Sequence, residues 1–237
     1  MSSHSAKPSA PLICLVTDRR RLHAARADTG DTIDLVIELV GEASRAGVDL
    51  IQVREHDLTA RELTGLVEAC VRATRDTPAR VMVNDRADVA LATGAAGVHL
   101  RGDSVEAGRL RRIVPAGFLI GRSVHGIEEA VSAASEGGLD YLLFGTVFAS
   151  RSKAPGHPLV GVSDLQRASR AVPLPVLGIG GITLHNLAQV AGARAGGVAA
   201  IGLFIDPRDQ RGRSLTIRGV VRAIRRAFDT PRSDCLP

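Results

Sequence analysis

Tryptophan is absent from the 237 residues, and only one tyrosine and five phenylalanines are present. So few aromatics leave no stacking platform for single-stranded nucleic acid. The net charge of +5 comes with no groove-reading motif, so nucleic acid is not an expected partner. Three cysteines, Cys14, Cys70 and Cys235, are too few and too irregularly spaced for a disulfide framework or a zinc site. His99 and His125 lack a matching third zinc ligand. A reduced, cytoplasmic setting is therefore expected. No stretch approaches the roughly 18 uninterrupted apolar residues of a membrane span, and no membrane partner is expected. Residues 1–11, MSSHSAKPSAP, lack the apolar centre of a secretory signal and are expected to form a disordered leader. Residues 229–237 are expected to be a flexible tail. A basic balance can serve nucleic acid, an anionic membrane or a phosphorylated small molecule.

What the chain does contain is an alternation. The apolar runs LICLVTD, LIQVRE, RVMVND, GVHL, FLIGRSV, YLLFGTVF, PVLGIGGI and GVAAIGLF are separated by longer segments of helical period. Runs this short, bounded by Gly, Pro or charge, fit buried parallel strands. In LTARELTGLVEACVRATRD, Leu63, Leu66, Val67, Cys70 and Val71 fall at three- and four-residue steps, forming one apolar stripe. Gly47, Gly94 and Gly137 stand where left-handed helix ends are expected. The arginines of RGRSLTIRGVVRAIRRAF, at helical spacing, read as a solvated outer face. Eight strands, each followed by a helix, within roughly 215 residues fit one closed (β/α)8 TIM barrel, assigned to residues 12–228.

Chemistry in such a barrel gathers at the carboxyl ends of the strands. Those ends carry Thr17 and Asp18; Gln52, Arg54 and Glu55; Asn84 and Asp85; His99, Arg101 and Asp103; and Ser123 and His125. Thr146 and the stretch SRSK, with Ser150, Ser152 and Lys153, follow the sixth strand. Gly180 and Gly181 end the seventh, and Gly202 the eighth. GIGGIT is expected to lead straight into a helix whose first amides take a phosphate, and the loops after strands seven and eight are the common phosphate site of this architecture. His125, with an ordinary pKa of about 6.5, is suited to carry a proton near neutral pH.

YLLFGTVF followed by SK, GIGGIT, VMVNDRADVALATGAAGVHL and LICLVTD together resemble the thiamine phosphate synthase/TenI family, from about Leu12 to Phe204. The resemblance implies a (β/α)8 barrel. Its synthase branch joins a pyrimidine diphosphate to a thiazole phosphate with Mg2+ and releases pyrophosphate. Its TenI branch tautomerises a thiazole carboxylate phosphate without metal. Carried onto this chain, the resemblance gives the thiazole phosphate to Gly180, Gly181 and Ile182, and the diphosphate to Arg54, Asn84 and Lys153. Ser150 and Ser152 stand where synthases carry threonines, Gln52 matches a pyrimidine contact, and Asp85 matches one of two magnesium ligands.

Two positions depart from the synthase pattern. After the fourth strand synthases read His-Leu-Gly-Gln-x-Asp, whereas this chain reads HLRGDS, with Ser104 at the ligand position and Asp103 one residue early. His56 replaces a lysine. GRSVH followed by EEA is TenI-like. The preferred expectation is therefore a TenI-type tautomerase with His125 as acid–base group and no metal. The alternative is a thiamine phosphate synthase using Mg2+ at Asp85, with Asp103 or Ser104 beside it. A non-catalytic sensor of a phosphorylated ligand on the same barrel is a further alternative, and a homo-oligomer is possible in each case.

Overall fold

Eight short strands close into a ring. The computed structural model of the chain describes residues 10–26, 31–150, 156, 158–209 and 211–229. The strands are β1 Leu12–Val16, β2 Leu50–Val53, β3 Arg80–Asn84, β4 Gly97–Leu100, β5 Leu119–Val124, β6 Tyr141–Phe144, β7 Val176–Ile179 and β8 Gly197–Ala200. Each pairs in parallel with the next, and β8 returns to β1 through Leu12↔Gly197 and Ile13↔Val198, so the barrel has no free edge. Every expected strand is present. The runs YLLFGTVF, PVLGIGGI and GVAAIGLF overshoot at their carboxyl ends, where small and apolar letters continue after the strand stops at Phe144, Ile179 and Ala200.

Alternation along the strands divides the core in two. Ile13, Leu15, Ile51, Val53, Val81, Val83 and Val98 face outward and pack with the helices. Cys14, Val16, Leu50, Met82, Tyr141, Leu143, Leu177 and Ala199 form a separate cluster, filling the barrel. Gly121 makes room for this filling: a Cβ there would meet the Tyr141 ring at 2.5 Å and its hydroxyl at 2.6 Å. Cys14 and Cys70 are buried free thiols, and burial raises both to a pKa of about 12, leaving them inert.

The helices are α1 Arg19–Arg26, α2 Thr32–Ala46, α3 Ala60–Thr74, α4 Ala87–Thr93, α5 Ala107–Arg111, α6 Ile127–Glu136, α7 Gly161–Ala171, α8 Leu187–Gly192, α9 Gly202–Ile205 and α10 Ile217–Asp229. Two helices therefore follow β1 and two follow β8, rather than one each. The α3 stripe is placed as expected, with Leu63, Leu66, Val67 and Cys70 buried and Val71 packed at its edge. Thr59 and Glu62 start this helix with a reciprocal capping box. Gly47 and Gly94 take the left-handed cap conformation, while Gly137 has positive φ but extended ψ.

The last helix corrects one expectation. Arg225 turns inward at the amino-terminal end of the barrel and pairs with Asp49 at 2.7 Å. Asp49 also accepts the Ile13 amide at 2.7 Å, and Arg225 reaches the carbonyl of Pro11. This arginine ties α10 to the base of β1 and is half-buried, so the arginine face is not wholly solvated. Most of the expected leader and tail lies outside the described residues; Asp229, assigned to the tail, is the last residue of α10. No helix among the described residues is long and apolar enough to cross a membrane.

Candidate active site

The inward alternation that places Leu50 and Met82 in the barrel brings Gln52, Asn84, His99 and Ser123 to the layer above them. Four neighbouring strands, β2 to β5, thus give a polar floor. Gln52 is 2% exposed and its Nε2 donates to Asn84 Oδ1 at 2.9 Å. Among the described residues, its Oε1 is buried without a hydrogen-bond partner. An orphaned buried acceptor costs about 1–3 kcal/mol, and a site that will receive a donor is where such a cost is retained. His99 is 1% exposed and lies between Ser123 Oγ at 2.9 Å and the Tyr141 hydroxyl at 3.1 Å. Burial, with Arg54 as a second cause, lowers its pKa to about 3. A histidine that stays neutral holds Ser123 in place rather than exchanging protons.

At the first two strands the polar ends serve as structure. Thr17 Oγ1 donates to Glu55 Oε1 at 2.6 Å and accepts the Arg54 amide at 3.0 Å. Glu55 also accepts the Arg19 amide, and burial raises its pKa. Asp18 accepts the Arg21 amide at 3.0 Å. These contacts fix the β1–α1 turn and hold the Arg54 backbone at the end of β2.

Beyond the floor, Asp85 takes a left-handed backbone, φ 58°, which an aspartate tolerates better than most residues. Its amide donates to the His99 carbonyl at 2.9 Å. Ser104 Oγ donates to Asp85 Oδ1 and accepts the Arg101 amide at 2.8 Å. Arg101 Nη1 lies 3.7 Å from Asp85 Oδ2, and its Nη2 lies 2.6 Å from Asp103. The two carboxylates therefore do not converge; Arg101 stands between them. Arg86 turns away from the rim to Asp88.

Magnesium binds hard oxygen ligands at about 2.0–2.1 Å in near-octahedral geometry. Here one oxygen of Asp85 accepts a hydroxyl proton, the other faces a guanidinium, and Asp103 is paired with that same guanidinium. No group of three metal-ligating side chains occurs among the described residues. The residues present do not fit the ion. His56 is exposed beside this cluster; partial desolvation first, then Arg54 and Arg101, lower its pKa, partly opposed by Asp57 and Asp85.

Across the rim, Gly180 and Gly181 have φ of 99° and 61°. A Cβ on Gly180 would meet Thr146 Cγ2 at 2.5 Å, and one on Gly181 would meet the Phe148 carbonyl oxygen at 2.7 Å. Only glycine fits against the loop after β6, so backbone alone faces the rim. The helix does not start at this point, contrary to expectation. Asn186 intervenes, accepting the Thr183 amide at 2.8 Å and donating to the Gly181 carbonyl at 2.9 Å, and α8 begins only at Leu187. The cradle is a turn pinned by an asparagine rather than a helix end. Ile182 is buried beneath it. At Gly202 a Cβ would run into the guanidinium of Arg21, whose Cζ lies 3.0 Å from that position. The reading from sequence missed Arg21, because RRRL carries no phosphate motif, and passed over the Asn in GGITLHN.

His125 Nδ1 lies 2.5 Å from the Gly145 carbonyl, and its amide donates to Glu129 at 2.6 Å. A carbonyl only accepts, so Nδ1 carries a proton in this contact. The side chain is exposed at the rim. Ser150 ends the described part of its loop; Ser152 and Lys153 lie outside the described residues.

Residues 16–204 match the family model described as thiamine monophosphate synthase. The chain is 41% identical over 186 residues to the thiamine-phosphate synthase of Methanoculleus marisnigri, covering 78% of this chain and 88% of that protein. It is 40% identical over 198 residues to the thiamine-phosphate synthase of Roseiflexus castenholzii, covering 84% and 82% respectively. The solved thiamine phosphate pyrophosphorylase from Pyrococcus furiosus superposes with a TM-score of 0.73 at 29% identity, covering 92% of this chain and 95% of that one.

Proposed function

Because the chain belongs to the thiamine monophosphate synthase family, we propose that it joins a pyrimidine diphosphate to a thiazole phosphate, forming thiamine phosphate and pyrophosphate. The named relatives are synthases, which moves the reading away from the tautomerase preferred on sequence grounds. The observation that carries this reading is Gln52: a buried acceptor left open on the floor, at the position the family resemblance gives to the pyrimidine. An amino group on that ring supplies the missing donor. A tautomerase acting on a thiazole alone has no such group to place there.

The thiazole phosphate sits on the bare backbone of Gly180, Gly181 and Ile182, with the Arg21 guanidinium closing the side above Gly202. The family resemblance gives the diphosphate to Arg54 and Asn84, and to Lys153 with Ser150 and Ser152, of which Ser152 and Lys153 lie outside the described residues. The thiazole nitrogen forms a bond to the pyrimidine's methylene carbon as the carbon–oxygen bond to diphosphate breaks. The bonding pair leaves on the diphosphate oxygen, and the nitrogen becomes cationic. No proton moves in this step. Orientation of two bound substrates and cations at the leaving group therefore supply the rate, not an acid–base pair.

A tautomerase is the second reading, favoured by the His125 ring, held at the rim by its Nδ1 contact to the Gly145 carbonyl. Incubating the purified protein separately with the two synthase substrates and with thiazole carboxylate phosphate decides between them. Mass-spectrometric detection of thiamine phosphate from the first set supports the synthase. Isomerisation of the second set, with no thiamine phosphate from the first, overturns it.

A further inference from the structure

The family's metal position has been rebuilt in this chain around a guanidinium. Arg101 stands where the synthase pattern has glycine, and Ser104 where it has the second carboxylate. The two changes act together. Ser104 holds Asp85 by its hydroxyl and the Arg101 amide by its oxygen, so the same residue that removes a ligand anchors the replacement cation. Arg101 then spans Asp85 and Asp103, at 3.7 and 2.6 Å. Its side chain is 52% exposed and on the rim, so it is open to a ligand. A guanidinium stays charged at any pH the protein meets, and its planar fork matches two phosphate oxygens. A dication at Asp85 would have to displace the Ser104 hydrogen bond and face this positive charge.

We propose that Arg101 is the built-in counter-cation of the diphosphate, doing from the protein what a bound dication does in a synthase with two carboxylates. The proposal rests on the synthase reading for the identity of the ligand. The carboxylates at Asp85 and Asp103 position Arg101 in the free protein; the diphosphate takes the donors they leave. Binding and departure of the diphosphate then proceed without a divalent metal.

Calorimetry with inorganic pyrophosphate tests this without relying on turnover. In EDTA the parent protein binds pyrophosphate, Arg101→Gln weakens that binding by about tenfold or more, and Arg101→Lys recovers part of it. The double variant Arg101→Gly/Ser104→Asp restores the paired carboxylates and binds pyrophosphate tightly only when magnesium is added. A parent protein that binds pyrophosphate only with magnesium, or an Arg101→Gln variant that binds metal-free pyrophosphate like the parent, overturns the proposal. Thiamine phosphate formation is measured in the same preparations. Its absence alongside Arg101-dependent pyrophosphate binding would sink the synthase reading and leave the role of Arg101 standing.

Discussion

Gly181→Ala strikes the proposed phosphate cradle where its geometry is tightest. The native φ of 61° is left-handed, and holding alanine there costs about 1–2 kcal/mol. The added methyl also meets the carbonyl oxygens of Phe148, at 2.7 Å, and of Ala149, which are backbone and cannot rotate away. The β6 loop must therefore move, and the hydrogen bond from the Phe148 amide to the Gly180 carbonyl, 3.1 Å, moves with it. Losing that bond adds about 0.5–1.5 kcal/mol. A total near 2–3 kcal/mol corresponds, for a chain of this size, to a fall in Tm of about 4–12 °C. Because the displaced backbone is the cradle itself, thiazole phosphate affinity should fall by about tenfold or more, whereas pyrimidine diphosphate affinity changes little. Differential scanning calorimetry and titration with each substrate measure the three quantities. A variant with parental Tm and parental thiazole phosphate affinity would refute the reasoning; equal losses for both substrates would refute the placement of the phosphate.

Gln52→Met removes the orphaned acceptor along with one neutral hydrogen bond, so Tm should stay within a few degrees of the parent while pyrimidine diphosphate affinity falls about tenfold; a marked loss of stability with intact affinity would make Gln52 structural. Arg21→Ala should raise the KM for thiazole phosphate with little change for the pyrimidine diphosphate, and steady-state kinetics showing the reverse pattern would remove Arg21 from the phosphate. His99 gives a pH signature. Its folded pKa is depressed to about 3, so the unfolded chain takes up a proton near pH 6.5 that the folded protein refuses. The stability this contributes is fully present above about pH 6.5 and lost towards pH 3, at up to about 1.4 kcal/mol per pH unit. Denaturant unfolding across that range should show the slope reduced in His99→Gln; identical slopes would mean that His99 titrates normally.

Much of the barrel is legible in the sequence because burial on both faces writes each strand as a short apolar run. Their carboxyl ends are not, since GTVF and IGLF continue apolar while the ladder has already stopped at Phe144 and Ala200. Helical period alone could not distinguish Arg225, paired with Asp49 across the barrel base, from its solvated neighbours. That pairing joins residues far apart in the chain. The same holds for the rim. Asp85 and Ser104 can be aligned with a metal motif, but the guanidinium between Asp85 and Asp103 emerges only when β3 and β4 lie side by side. The cradle at Gly180 and Gly181 was readable from its glycines; that it is pinned by Asn186 was not, because GGIT looks the same before a helix or a turn.

Single-turnover synthesis by the parent protein beside His125→Asn tests the central claim most directly. With pyrimidine diphosphate and thiazole phosphate supplied together, the account predicts thiamine phosphate and pyrophosphate in equal amounts. It also predicts a His125→Asn rate within a few-fold of the parent, because no proton is transferred. No thiamine phosphate from the parent, together with isomerisation of thiazole carboxylate phosphate that falls about 100-fold or more in His125→Asn, would contradict it and identify a tautomerase instead.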